Sequence, residues 1–337
     1  MTDVLGNLLS YTDAWGVRTD YAWDAQGMLT ERKTFAQGSD SPALTVAYTY
    51  DDADNPTEIS VNGETMATVA YGKDGSPTSI TYAGKVTRDL SYDSAGALSG
   101  ISLQTADHTY DLGVERNDAG RVLSATMNAT ASGKKVAGSG WSYDYDSAGR
   151  LVKAVLDTSG DTTASGGKER TFVYDYASQK TCPSKAGDNF DRTGGSIDGV
   201  DYVTCYDGLG RLNWTNSPAL VAKGEKAKAT WDGLGRLTAL EATTPLGLTW
   251  SGGTQVAEVK QGSSTTAITT VGGQVVEQTV DSTTTRFGYV APSSTSPALA
   301  LDNSGAITSI RVALPGDRKS TRLNSSHEWI SRMPSSA

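Results

Sequence analysis

Tyr145-Asp146-Ser147-Ala148-Gly149-Arg150-Leu151 reads as a turn phrase: an aromatic, Asp, two spacers, Gly, Arg, then an aliphatic residue. It returns as Tyr206-Asp207-x-x-Gly210-Arg211-Leu212 and as Trp231-Asp232-x-x-Gly235-Arg236-Leu237, while Trp23-Asp24-x-x-Gly27 and Tyr92-Asp93-x-x-Gly96 keep the frame without the Arg. Asp at a turn entrance can accept hydrogen bonds from backbone amides two residues on. Gly three residues later supplies the positive φ that closes a three- to five-residue hairpin without a Cβ clash. The aromatic adds apolar area for cross-strand packing, and the Arg stem is expected to lie over that ring.

Weaker copies fill the intervals: Tyr50-Asp51 with Asp54-Asn55, Tyr71-Gly72 with Gly75, Asn117 with Gly120-Arg121, Tyr174-Asp175, and Asp302 with Gly305. Anchors at positions 23, 50, 71, 92, 116, 145, 174, 206 and 231 recur every 21 to 32 residues. A phrase recurring at that interval implies one supersecondary unit used many times. Ahead of the turns, Val46, Tyr48 and Tyr50, or Trp141, Tyr143 and Tyr145, alternate with a period of two, so each set shares one face of a strand. Each unit therefore reads strand, tight turn, strand. The expected fold is all-β, consecutive antiparallel hairpins forming a curved, spiralling sheet over residues 1–316.

Composition agrees. The 337 residues carry 37 Gly and a hydrophobic fraction of only 37%, which suits many short strands and turns better than helices. A formal net charge of -9 disfavours nucleic acid as a partner. No apolar run reaches the roughly 18 to 20 residues needed for a spanning helix. Residues 157–168 and 262–270, rich in Ser, Thr and Gly, read as solvent loops. Between Leu240 and Leu301 the phrase disappears, and plain strands of the same sheet are expected. Residues 317–337 differ from the body, with four Lys or Arg against two Asp or Glu. This tail resembles translated adaptor sequence and is expected to be non-native, disordered or loosely helical.

Cys182 and Cys205 flank a Gly- and Asp-rich stretch of 22 residues. They could close it by a disulfide in an oxidising compartment, or stand as two strand-end thiols. Without ordered His partners they offer no zinc set. Paired carboxylates such as Asp144 with Asp146 suggest glycosidase chemistry in principle, but Asp at turn entrances is far more often a turn former. His108 is the one histidine before the tail and its surroundings read as an exposed strand, so no catalytic residue is assigned. The acidic loop around Asp188 and Asp191, with Asp198 and Asp201, lacks an EF-hand ligand pattern, and no metal or cofactor is expected.

The repeated Tyr-Asp-x-x-Gly-Arg-Leu phrases, from residue 3 to about 240 and fading towards 316, resemble the YD repeats of bacterial RHS-repeat proteins. In that family the repeats wind a long β-sheet into a closed hollow shell that sequesters a C-terminal toxin or other cargo, and related shells occur in insecticidal toxin complexes and in teneurins. The resemblance implies a non-catalytic shell segment, secreted or at the cell surface, whose partners are the remainder of its own shell and the enclosed cargo. Adhesion or binding of surface glycans through Tyr and Trp is the alternative. The family's sealing Asp-Pro-x-Gly motif is missing, so no autoproteolytic or toxic activity is carried over.

Overall fold

The computed structural model describes residues 1–157, 168–174, 182, 193–294, 296–312 and 331–333. Among these residues there are twenty-seven strands, from Ser10–Thr12 to Ser331–Met333, and no helix. The chain forms two compact units, one of Met1–Leu90 with Thr266–Ala337 and one of Ser91–Thr265. In each, strands adjacent in sequence pair antiparallel, as Arg18–Trp23 does with Leu29–Phe35 in the first and His108–Arg116 with Val122–Ala131 in the second. The all-β class of consecutive hairpins is what the phrase dictates.

Strand Leu44–Tyr50 shows how the pattern works. Leu44, Val46 and Tyr48 are buried while Thr45, Ala47 and Thr49 are less so, the two-residue period of a pleated ribbon with one covered face. In the first unit that face joins Ile59, Ala67 and Ile80, each fully buried. The second unit covers its strands less completely: Tyr110, Leu112 and Met127 stay more than a third exposed, although Cys205 and Ala227 are buried.

Two kinds of turn connect the strands. At the phrases the register slips by one residue beside the aromatic, at Ala22/Trp23, Asp144/Tyr145, Cys205/Tyr206 and Thr230/Trp231. This is the bulge expected when a type I turn is followed by a left-handed residue. Elsewhere two-residue turns suffice: Asn62-Gly63, Ser132-Gly133 and Asp198-Gly199 have positive φ at both positions, which matches the right-handed twist of the flanking strands.

Two sequence readings need correction. Residues 262–270 are not a solvent loop, because Ser264–Val271 is a strand paired with Gln274–Val280. Four of its eight residues are β-branched Thr, whose preference for pleated backbone outweighs their polarity. Of the tail, Ser331–Met333 pairs as a short strand with Ile307–Val312, rather than being helical there. The rest of the tail, most of the loop at 157–168, and Asp188 and Asp191 lie outside the described residues.

Candidate functional site

The corners are built alike from the backbone upward. In Asp207-Gly208-Leu209-Gly210-Arg211, the Asp207 amide donates to Arg211 O at 2.8 Å and the Gly210 amide to Asp207 O at 3.1 Å. One carboxylate oxygen, Asp207 Oδ1, accepts the amides of Leu209 and Arg211 at 2.9 and 3.0 Å. Gly210 sits at φ 76, where a Cβ would be strained. Asp24 with Gly27, Asp93 with Gly96 and Asp232 with Gly235 repeat the arrangement, and Asp146 accepts the Arg150 amide beside Gly149 at φ 80. Asn117 supplies the same acceptor at its own corner.

The aromatic contributes its polar tip as well as its ring. Tyr145 Oη donates to Val122 O at 2.8 Å, Tyr174 Oη to Leu151 O at 2.9 Å, and Trp231 Nε1 to Leu212 O at 2.8 Å. In the first unit Tyr50 reaches Leu29 O at 2.7 Å, Tyr71 reaches Pro56 O at 2.9 Å and Trp23 reaches Leu8 O at 2.9 Å. Every acceptor but Leu8, which forms an isolated bridge with Thr2, is the first strand residue after the preceding corner, so each donor ties one repeat to the one before it. Where the aromatic is replaced by Arg116, its Nη1 donates to Leu98 O at 2.7 Å and lies 3.6 Å from Asp93 Oδ2. Tyr92 and Tyr206 end the strands that lead into their corners.

The Arg does not stack where the sequence reading put it. Its guanidinium lies over the ring of the next repeat: Arg150 over Tyr174 at 4.8 Å, Arg211 over Trp231 at 5.6 Å and Arg236 over Trp250 at 5.5 Å. It also holds the second carboxylate oxygen of its own Asp at 2.7 Å, in the pairs Arg150–Asp146, Arg211–Asp207 and Arg236–Asp232. Trp250 is a rung with no Asp after it; its Nε1 donates to Leu237 O at 2.7 Å. The repeat thus continues past the point where the phrase fades.

Two signals for this ladder were present in the sequence and unused. At the nine recurring anchors the residue before the turn is Tyr or Trp, never Phe, or else another donor, Arg116, whereas the Asp3, Asp13 and Asp302 corners follow Thr2, Thr12 and Leu301 and have no such rung. At the three corners that carry the Arg, the surroundings favour the ionised carboxylate. The Arg150 amide keeps Asp146 below the usual carboxylate range, the Arg211 side chain does so for Asp207, and the Arg236 amide for Asp232. A carboxylate so engaged is a poor proton donor near neutrality.

Other candidates are separate from the ladder. His108 is exposed and stacks on Tyr110. A cleft of about 620 Å³ is lined by residues 218–222, Ala242, Thr243, Thr244 and Gln261, none of them ionisable. Among the described residues no three His, Cys, Asp or Glu side chains group as a metal set, and no helix is long and apolar enough to cross a membrane. Cys182 and Cys205 are joined by a disulfide with Cα atoms 5.4 Å apart.

Residues 3–40, which contain the Asp3, Asp13 and Asp24 corners, match the sequence profile of the RHS Repeat family. The match is confined to those residues. Structural similarity extends over more of the chain. The crystal structure of TcdB2-TccC3 aligns with 93% of this chain and 20% of its own, at 15% identity and a TM-score of 0.44. The same assembly without its hypervariable C-terminal region gives 93%, 20%, 14% and 0.48. A Photorhabdus luminescens Tc holotoxin pore gives 89%, 18%, 15% and 0.41. The chain therefore spans about a fifth of the length of these solved chains. No curated protein matches it.

Proposed function

We propose that this chain is a wall segment of an RHS-type shell, a structural element without catalytic chemistry that helps to enclose a C-terminal cargo or toxin domain. The carrying observation is the ladder: the residues that make the phrase are spent on tying each hairpin to the next, and the carboxylates an enzyme would need are committed to backbone amides and Arg. The RHS Repeat match over residues 3–40 supports the shell reading. A setting outside the reducing cytoplasm is supported by the Cys182–Cys205 bond. Glycan adhesion has less support, because guanidinium groups of Arg211 and Arg236 already lie over the rings of Trp231 and Trp250.

The test is protection. In the full-length protein that contains this chain, the C-terminal domain should resist added protease, and Trp231→Ala with Arg236→Ala should make it cleavable. Equal digestion in both proteins would remove the container reading, and retention on a glycan array would move the assignment to adhesion.

A further inference from the structure

The corner Asp13-Ala14-Trp15-Gly16-Val17 carries the same backbone turn as the ladder corners, with the Asp13 amide on Val17 O at 3.0 Å and the Gly16 amide on Asp13 O at 3.2 Å. Its tip residue is the exception. Leu209 and Leu234 hold the equivalent position at two other corners and are 78% and 73% exposed. Trp15 is instead half-buried, and its Nε1 donates to Val276 O at 3.0 Å, 261 residues away. Val276 is the extra residue of a bulge: Val275 pairs with Thr270 and Glu277 with Thr269, which leaves Val276 outside the ladder and 4% exposed. A buried bulge carbonyl needs a donor, and the indole provides it.

Two further contacts converge on the same corner. Arg286, anchored by Glu277 at 3.2 Å and by Asn303 O at 3.0 Å, places its guanidinium 4.7 Å from the Trp15 ring centre. Asp13 Oδ1 takes the amides of Trp15 and Val17, while Oδ2 accepts the Tyr289 amide at 3.2 Å. Around the junction Val17, Tyr289, Val290 and Leu299 are at most 2% exposed. All of these residues belong to the first compact unit.

We infer that the Asp13–Val17 corner and the hairpin of Gln274–Val280 and Thr283–Gly288 form a latch, an interaction surface by which two stretches of the array far apart in sequence recognise each other. Its chemistry is that of the ladder, an indole N–H on a carbonyl and a guanidinium on the ring, applied across the sequence instead of along it. The latch does not depend on the container reading, since it needs only the fold.

Hydrogen exchange on the full chain tests it. Trp15→Phe keeps the ring and removes the donor, and it should speed exchange of the amides in residues 276–289 by about tenfold, matching the loss of one hydrogen bond. Trp23→Phe, the control, should act on the neighbours of Leu8 and leave 276–289 unchanged. Arg286→Met approaches from the other side and should speed exchange of the Trp15 and Val17 amides. If Trp15→Phe changes only residues near its own corner, or if Arg286→Met leaves that corner as protected as before, the latch is refuted. If Trp15→Phe does not fold, the Arg286→Met result alone decides.

Discussion

The corners at Asp207 and Asp13 share a backbone and differ in what they hold. Their glycines lie at φ 76 and 74, and in each one carboxylate oxygen binds the amides two and four residues on. At Asp207 the second oxygen binds Arg211, which then stacks on the ring of the following repeat. At Asp13 it binds the Tyr289 amide, and the tip residue inserts where Leu209 stands free. One turn thus serves two purposes, and the choice rests on the second carboxylate oxygen and the tip residue. The difference extends to charge: Arg211 lowers Asp207, whereas burial raises Asp13.

The largest expected effect separates the two through covalent chemistry. Cys205 lies two residues before Asp207, and the Asp13 corner has no such staple. Replacing Cys182 and Cys205 by Ser should destabilise the second unit by about 3 kcal/mol, given the length of the closed loop. Exchange near Asp13 should remain unchanged. A loss shared equally by both corners would blur the distinction.

Glycine substitution sharpens the comparison at the backbone. Gly210→Ala meets no atom within 4 Å, so only the left-handed strain of about 1–2 kcal/mol should register in denaturant unfolding. Gly16→Ala adds a contact with Gln37 Cγ at 3.0 Å and should cost more. Equal costs would mean that the packing around the two corners is alike.

Acid titration should give opposite signs. Asp207 has a lowered value in the folded chain, so its contribution is complete above the ordinary carboxylate range and is lost as pH falls through that lowered value. Asp13 is raised, so its ionisation opposes folding, and stability declines as pH rises from the ordinary range through the raised value. Unfolding measured from pH about 2 to 7 should show Asp207→Asn reducing the acid-side loss and Asp13→Asn removing the decline on the other side. Slopes of the same sign would contradict the contrast.

The smallest effect concerns the ring contact. Arg211→Met and Arg286→Met should each weaken packing on Trp231 or Trp15 by about 0.5–1 kcal/mol, with the loss appearing as coupling in a double-mutant cycle. Zero coupling in both would reduce the stacked geometry to coincidence.

Much of this was legible in the chain. Asp and Gly three apart, with a period-two run before them, determine a hairpin corner through local chemistry, and the corners at Asp24, Asp93, Asp146, Asp207 and Asp232 follow from that alone. The target of Arg150, Arg211 and Arg236 was not legible, because a side chain leaving one strand meets the neighbouring strand, and sequence order does not say which ring faces it. The strand Ser264–Val271 was hidden by its polarity, since Thr serves both loops and pleated strands. The contact of Trp15 with Val276 was beyond reach: no local rule links residues 261 apart, and the acceptor exists only because a bulge frees it.

The central claim is that the aromatic tips, through one hydrogen bond each, join consecutive repeats. Tyr50→Phe, Tyr71→Phe, Tyr145→Phe and Tyr174→Phe remove one oxygen apiece, and Tyr143→Phe does so at a tyrosine whose ring stacks on Trp141 within its own strand. Measured side by side in urea, each of the four should lose about 1 kcal/mol while Tyr143→Phe loses almost nothing. Four losses no larger than that of Tyr143→Phe would show that the repeats are held by ring packing alone and that the ladder does not bind them.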